Sequence, residues 1–289
     1  MKKLFFAFIT LFYLTVSAQY NSLLWKISGN GLKRPSFLYG TMHTKDARVF
    51  AFGDSVIPFL NSAKAYAMEL DPAETFDMSL LPKLVMGKDY SLKKMIPERE
   101  YAFLDSVVKD QIGYSVALFD NVAPVLTMTI LEMGSMGLSD SSIAGNKEVL
   151  DMYFYKQAQK KRKKIIGIET VDEQLNALNT LSYREQADLL VKEIRSFEEN
   201  KSAGDDMVRF YLEGNLDSLA SSEIETEMSP KFYKALVTDR NERMASRIAD
   251  LIKEQPTFIA LGALHLPNST GVIELLKQKG FTVKPVIQR

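Results

Sequence analysis

Six short, mostly apolar runs, each bounded by turn-forming residues, punctuate the chain at 23–28, 36–39, 65–70, 164–168, 256–261 and 281–286. Their β-branched and aromatic content and lengths of four to six residues predict strands. Between them the apolar positions recur at three- and four-residue spacing, as at Tyr101, Leu104, Val107 and Val108. That periodicity predicts helices over 97–112, 151–161, 171–197, 206–221 and 232–252. Asp205 is placed to cap the fourth of these, and Pro230 suits the opening turn of the last. Strand signals gather at the two ends of the chain, and the stretch from about 72 to 163 is mostly helical. The simplest arrangement is an α/β fold in which one central mixed β-sheet is built from N- and C-terminal segments, flanked by helices, with a helical insertion at 72–163. Interleaved termini of this kind make residues 19–289 a single domain.

Residues 1–18, MKKLFFAFITLFYLTVSA, break the pattern. Two lysines precede a 13-residue apolar run and a Val16-Ser17-Ala18 end, the form of a secretory signal peptide and too short for a membrane span. Cleavage after Ala18 removes two lysines from a balanced 36 Lys+Arg and 36 Asp+Glu, leaving a mature chain at −2 with no stable membrane insertion. Zero net charge leaves no basic footprint for nucleic acid. The run Lys160 to Lys164 reads as a solvated helix end, where cations complement the helix dipole. The chain has no Cys, which excludes disulfides, thiolate metal sites and a Cys nucleophile together. In an exported protein that points to a bacterial envelope, periplasmic or secreted. Chemistry is left to His, carboxylates, hydroxyls, Arg and Lys.

Only two histidines are present, and both stand in Gly-x-x-His at the end of an apolar run. One is Gly40-Thr41-Met42-His43 after Pro35-Ser36-Phe37. The other is Gly262-Ala263-Leu264-His265 after Pro256-Thr257-Phe258. A helix-like segment and another strand follow each, so the two units resemble an internal half-repeat. Glycine there permits the positive φ and close backbone approach needed for a sharp exit, and that exit aims each imidazole at the C-terminal rim of the sheet, where α/β folds place ligand sites. Two converging imidazoles suit a divalent metal or a shared substrate proton. Glu69 closes the run 65–70, and a carboxylate there is poorly explained by packing. Glu169 closes the run 164–168 and reads either as a site carboxylate or as a helix-start charge favoured by the dipole. Asp71, just before Pro72, reads as a ligand or as a turn residue.

These residues, with Leu24-Trp25-Lys26-Ile27, Glu69-Leu70-Asp71, Gly167-Ile168-Glu169-Thr170, Gln174, Arg240-Asn241 and His265-Leu266-Pro267, resemble the TraB/GumN family, whose animal relatives are the Tiki proteins. They run in order from residue 24 to 267. Asn268 stands where the family commonly has Gly, and Leu264 where small residues are usual. The resemblance implies a fold similar to erythromycin esterases and ChaN-type haem-binding proteins. For Tiki-like members it implies a metal-dependent peptidase with a divalent metal, Mn2+ or Co2+, acting on a peptide or small-molecule substrate. It makes His43, His265 and Glu69 the metal or catalytic group, Glu69 as ligand or general base, with Glu169 and Arg240 as further site residues. Arg240 then stabilises developing negative charge or orients a substrate carboxylate. The alternatives are a non-catalytic peptide- or haem-binding protein of the envelope, and a metal-independent esterase using His as base.

Overall fold

The computed structural model describes residues 20–44, 46–75, 81–128, 149–199, 203–221 and 229–286. Residues 1–18, read from the sequence as a signal peptide, and residues 129–148 of the expected insertion lie outside them. Among the described residues one mixed sheet is formed by β1 (Leu24–Ser28), β2 (Ser36–Thr41), β3 (Ala65–Met68), β4 (Lys164–Gly167), β5 (Thr257–Gly262) and β6 (Thr282–Pro285), in the order β4-β3-β5-β2-β1-β6. All six lie within two residues of the runs read from the sequence. The first four in that order are mutually parallel, while β1 runs antiparallel to both of its neighbours. Every residue of β2 and β3 is buried, as is all of β5 but its last glycine. Central parallel strands are covered on both faces, which is why they appear in sequence as unbroken apolar runs.

Helices flank the sheet. On one face lie α1 (Val56–Ser62), whose Phe59 stacks on Phe37 at 4.0 Å, and α2 (Leu150–Lys160). The α2 residues Leu150, Phe154 and Ala158 are buried at four-residue intervals, and Phe154 meets Tyr39 and Phe258 edge-on at 5.3 and 5.7 Å. Side chains alternate along a strand, so Phe37, Tyr39 and Thr41 share this face. That brings Thr41, at the end of β2, under the first turn of α2.

The expected helix over 171–197 is two, α3 (Val171–Leu178) and α4 (Tyr183–Glu199). A capping box between Thr170 and Glu173 starts the first, and the Asn179–Ser182 turn separates them. The expected helix over 206–221 is also two, Ala203–Leu212 and Leu216–Ser221, with Gly214 at φ +65° in the turn between them. Asp205 thus lies inside the first of these rather than before it. The last expected helix opens at Pro230 as foreseen, passes through a π-helical turn at Lys234–Thr238, and continues as α5 (Asp239–Glu254). The insertion does more than cover the sheet: Leu92, Ile96, Leu104, Val108 and Val116 pack against Ala187, Leu190 and Ile194 of α4 in a second apolar cluster.

The half-repeat does not extend into space. After β2 the chain crosses over β5 to lay down β3, whereas after β5 it travels to the opposite edge to lay down β6. What the two Gly-x-x-His units share is adjacency, since β2 and β5 pair in register with Thr41 opposite Gly262. Their glycines serve close approach and not positive φ: Gly262 has φ −51°, and a Cβ on Gly40 would stand a tight 3.2 Å from the Ala263 backbone. Asn268 does take the left-handed conformation, at φ +71°, which asparagine tolerates.

Candidate functional site

Each of the four parallel strands delivers one candidate residue just beyond its C-terminal end: His43 after β2, Glu69 after β3, Glu169 after β4 and His265 after β5. Glu69 and Glu169 are held abreast because the pairing of β3 with β4 continues past both strands, through Ile168 N–H to Met68 O and Glu169 N–H to Glu69 O, each 2.8 Å. A Cβ at Gly167 would lie 2.9 Å from the Asp71 amide nitrogen, so the strand end tolerates only glycine. Asp71 itself accepts from Ala73 N–H at 2.9 Å, the turn role.

Arg240, from the first turn of α5, joins the two carboxylates. Its Nε and Nη2 donate to Glu169 at 3.0 and 2.7 Å, and Nη2 also donates to Glu69 Oε2 at 2.8 Å. Nη1 turns back to the Leu236 carbonyl in the π-helical turn, at 3.2 Å. The guanidinium is 8% exposed and the Glu169 side chain is fully buried. Gln174 Nε2 donates to Glu169 Oε2 and Glu69 Oε2 at 3.2 and 3.4 Å. Glu69 Oε1 takes the Gly262 amide at 2.8 Å, so one Gly-x-x-His turn grips the carboxylate directly. A Cβ on Gly262 would press on that same oxygen at 3.2 Å.

His265 is buried and oriented by Asn241, the residue after Arg240. Asn241 Nδ2 donates to the Thr270 carbonyl at 2.9 Å, which fixes its amide so that Oδ1 faces His265 Nδ1 at 2.7 Å. Nδ1 therefore carries the hydrogen. Nε2 is left facing Glu69 Oε1 at 3.8 Å. Burial pushes the His265 pKa down more strongly than the Glu69 charge pulls it up, and Arg240 adds to the fall, so the ring is neutral with a lone pair on Nε2. Burial likewise works to raise the Glu69 pKa, but His265, Arg240, His43 and the Gly262 amide outweigh it and hold the carboxyl at about 2.

Both groups thus bind fewer protons in the folded chain than in the unfolded one, and the sign of the pH effect follows. The stability due to His265 is complete above its ordinary value of 6.5 and declines below it. That due to Glu69 is complete above 4.5 and is lost as the pH falls toward about 2. Denaturant midpoints at pH 7.5, 5.5 and 3 are expected to fall in that order, with Glu69→Gln flattening the lower step. An unchanged lower step in that variant would contradict the depressed carboxylate.

His43 occupies a different setting. Its side chain is 61% exposed, and Nε2 lies 3.3 Å from Oδ2 of Asp151 in the first turn of α2. It stands near enough for its charge to act on both Glu69 and His265. The structure therefore joins Glu69, His265, Glu169 and Arg240 in one contact network and places His43 beside it, on Asp151. Among the described residues no three His, Asp or Glu side chains are already gathered around a common point. A cavity of about 530 Å³ between Lys94, Ile96, Arg184 and Val191 shares none of these residues.

The TraB/PrgY/gumN family profile matches residues 23–285, the whole length from β1 to β6. The chain belongs to that family. Among curated relatives, Metalloprotease TIKI1 of Danio rerio is 28% identical over 93% of this chain and 64% of its own length. Metalloprotease TIKI1 of Homo sapiens is 27% identical over 92% and 62% respectively. The Metalloprotease TIKI homolog of Nematostella vectensis is 27% identical over 94% and 68%. The chain thus spans a little under two thirds of the first two relatives. No solved structure matches it. Among the described residues, no helix is long and apolar enough to cross a membrane.

Asp151, and the orienting contact from Asn241 to His265, were not read from the sequence. Asp151 carried only the signal of an acidic residue at a helix start, which the helix dipole explains equally well. Asn241 was visible within the family motif, but its partner lies 24 positions on and is met only in the fold.

Proposed function

We propose that this TraB/PrgY/gumN member is an exported metal-dependent hydrolase that acts on peptides outside the cytoplasm, with His43, His265 and Glu69 holding a divalent ion. One observation carries the reading: the Nε2 lone pair of a neutral His265 and the anionic Glu69 Oε1 face each other across 3.8 Å. Two acceptors so placed repel unless a cation or a water hydrogen satisfies both. Neutral imidazole and carboxylate are the donor chemistry that Mn2+, Co2+ and Zn2+ accept, so the residues fit the group that the metalloprotease relatives imply. When bound, the ion supplies Lewis acidity to a water and to the scissile carbonyl.

This chain's own residues do the rest. Arg240 and the Gly262 amide help to hold Glu69 ionised, and with Gln174 they fix its position. A carboxyl at about 2 is a weak base at neutral pH, so Glu69 serves as ligand rather than proton acceptor. Asn241 keeps His265 in the tautomer that offers Nε2. Glu169 is the buried anchor of Arg240, and through it of Glu69. Export with removal of residues 1–18 belongs to the same proposal and is tested by the intact mass of the protein recovered from the cell envelope.

Saturating Mn2+ or Co2+ is expected to raise the Tm of the wild-type protein, since an ion bound only to the native state stabilises it by roughly 3 kcal/mol at a hundredfold excess over Kd. EDTA is expected to remove both that shift and peptide hydrolysis, and the His43→Ala/His265→Ala double variant to show neither. A wild-type protein whose melting is indifferent to ions and chelator would overturn the reading. The approach of Asp151 to His43 favours a second one, a metal-independent esterase with His43 as base. Ester hydrolysis that resists EDTA yet disappears in His43→Ala selects it.

A further inference from the structure

Asp151 belongs to none of the motifs above, yet its carboxylate lies 3.3 Å from His43, closer than Glu69 lies to His265. Its carboxylate is 10% exposed and its two oxygens are unequally served. Oδ1 takes the Thr41 hydroxyl at 2.6 Å, a strong charge-assisted bond from the end of β2. Oδ2 is sealed from solvent and accepts no hydrogen bond from the described residues. The backbone is tied down as well, since Tyr66 in β3 donates its hydroxyl to the Asp151 carbonyl at 3.2 Å. A carboxylate oxygen left buried without a donor costs more than a neutral group in the same place. Among the described residues, the basic side chain in ion-pair reach of Oδ2 is His43, whose Nε2 lies at 3.3 Å.

We infer that Asp151 is the positioning residue of His43, holding its hydrogen on Nε2 so that Nδ1 carries the lone pair presented to the site. The two Gly-x-x-His imidazoles are then set in opposite tautomers by different partners. Asn241 holds Nδ1–H on His265 and exposes Nε2; Asp151 holds Nε2–H on His43 and exposes Nδ1. Register accounts for the asymmetry. His43 stands two residues past Thr41 and His265 three past Gly262, although Thr41 and Gly262 are paired. The rings therefore leave adjacent strand ends at different points and meet different supports. The inference rests on the reading of His43 as a member of the hydrolytic site.

With only two histidines in the chain, imidazole 15N shifts of the metal-free protein report both tautomers directly, and His43→Ala assigns them. Wild-type His43 is expected as Nε2–H and His265 as Nδ1–H. In Asp151→Asn the Thr41 hydroxyl still has an amide oxygen to meet, but an NH2 now faces His43, and His43 is expected to switch to Nδ1–H while His265 does not change. Co2+ affinity is expected to fall roughly 10- to 100-fold with it. Thr41→Val keeps the carboxylate and is expected to leave His43 as Nε2–H, a control that stands if Asp151→Asn does not fold. His43 found as Nδ1–H in the wild type, or unchanged in a folded Asp151→Asn, overturns the inference. Tautomers as expected in a wild-type protein that binds no Co2+ retain the positioning role and remove the metal-dependent reading instead. Bound Co2+ with His43 as Nδ1–H does the reverse.

Discussion

Arg240→Met is expected to lower the unfolding free energy by about 3–5 kcal/mol, the range for removing one partner of a buried ion pair. For a chain of this size that is a fall in Tm on the order of 10 °C. The reason is the load the guanidinium carries. It donates to both oxygens of a fully buried Glu169 and to Glu69, and the other side chains in reach are Gln174 and an Arg243 whose Nη2 stays 3.7 Å from Glu169. Methionine fills most of the volume but leaves two carboxylates side by side without the shared cation. One of them then takes up a proton, so the deficit is expected to shrink as the pH is lowered from 7 toward 4. Thermal melts of both proteins at the two pH values measure this. Equal melting temperatures at pH 7 would mean that Glu169 is held by something other than Arg240.

Glu69→Gln is expected to have the largest effect on activity, at least about 10²–10³-fold in kcat/KM, the scale seen when one preorganised electrostatic group is withdrawn from a reaction centre. The substitution is nearly isosteric, but among the described residues the hydrogen-bond partners of the Glu69 carboxylate are donors: the Gly262 amide, Arg240 Nη2 and Gln174 Nε2. A glutamine presents its own NH2 to at least one of them, and it removes the anion opposite His265. Stability at neutral pH is expected to suffer less than in Arg240→Met, because Arg240 keeps its two-oxygen contact with Glu169. Steady-state hydrolysis of a peptide substrate together with Co2+ titration separates the outcomes. A variant within tenfold of wild type on both counts places Glu69 outside the reaction.

Most of the scaffold was legible along the chain. Strands buried on both faces are apolar almost throughout, and the runs at 36–39, 65–70 and 256–261 that mark β2, β3 and β5 show it, whereas the edge strand β4, within the run 164–168, is only partly buried. Glu69 and Glu169 stood out as carboxylates closing such runs. Helix breaks were less visible: the amphipathic spacing of 171–197 continues through the Asn179–Ser182 turn, and the local period does not register a reversal of direction. The expectation of positive φ in the Gly-x-x-His turns failed because glycine serves two needs that look alike in a sequence. Here it is the absent Cβ that matters, against Ala263 at Gly40 and against the Glu69 carboxylate at Gly262.

The linear order of residues settled which groups were available: two imidazoles, two rim carboxylates and one motif arginine, in a chain without thiols. It could not settle partnership. Whether Arg240 meets a substrate or its own two glutamates, and which nitrogen of each ring keeps its hydrogen, depends on β5 entering between β3 and β2 and on the Thr41–Gly262 pairing. Those are long-range choices, made by burial of both sheet faces at once. A contact between residues 171 positions apart, such as that of Arg240 with Glu69, leaves no periodic trace in the local pattern.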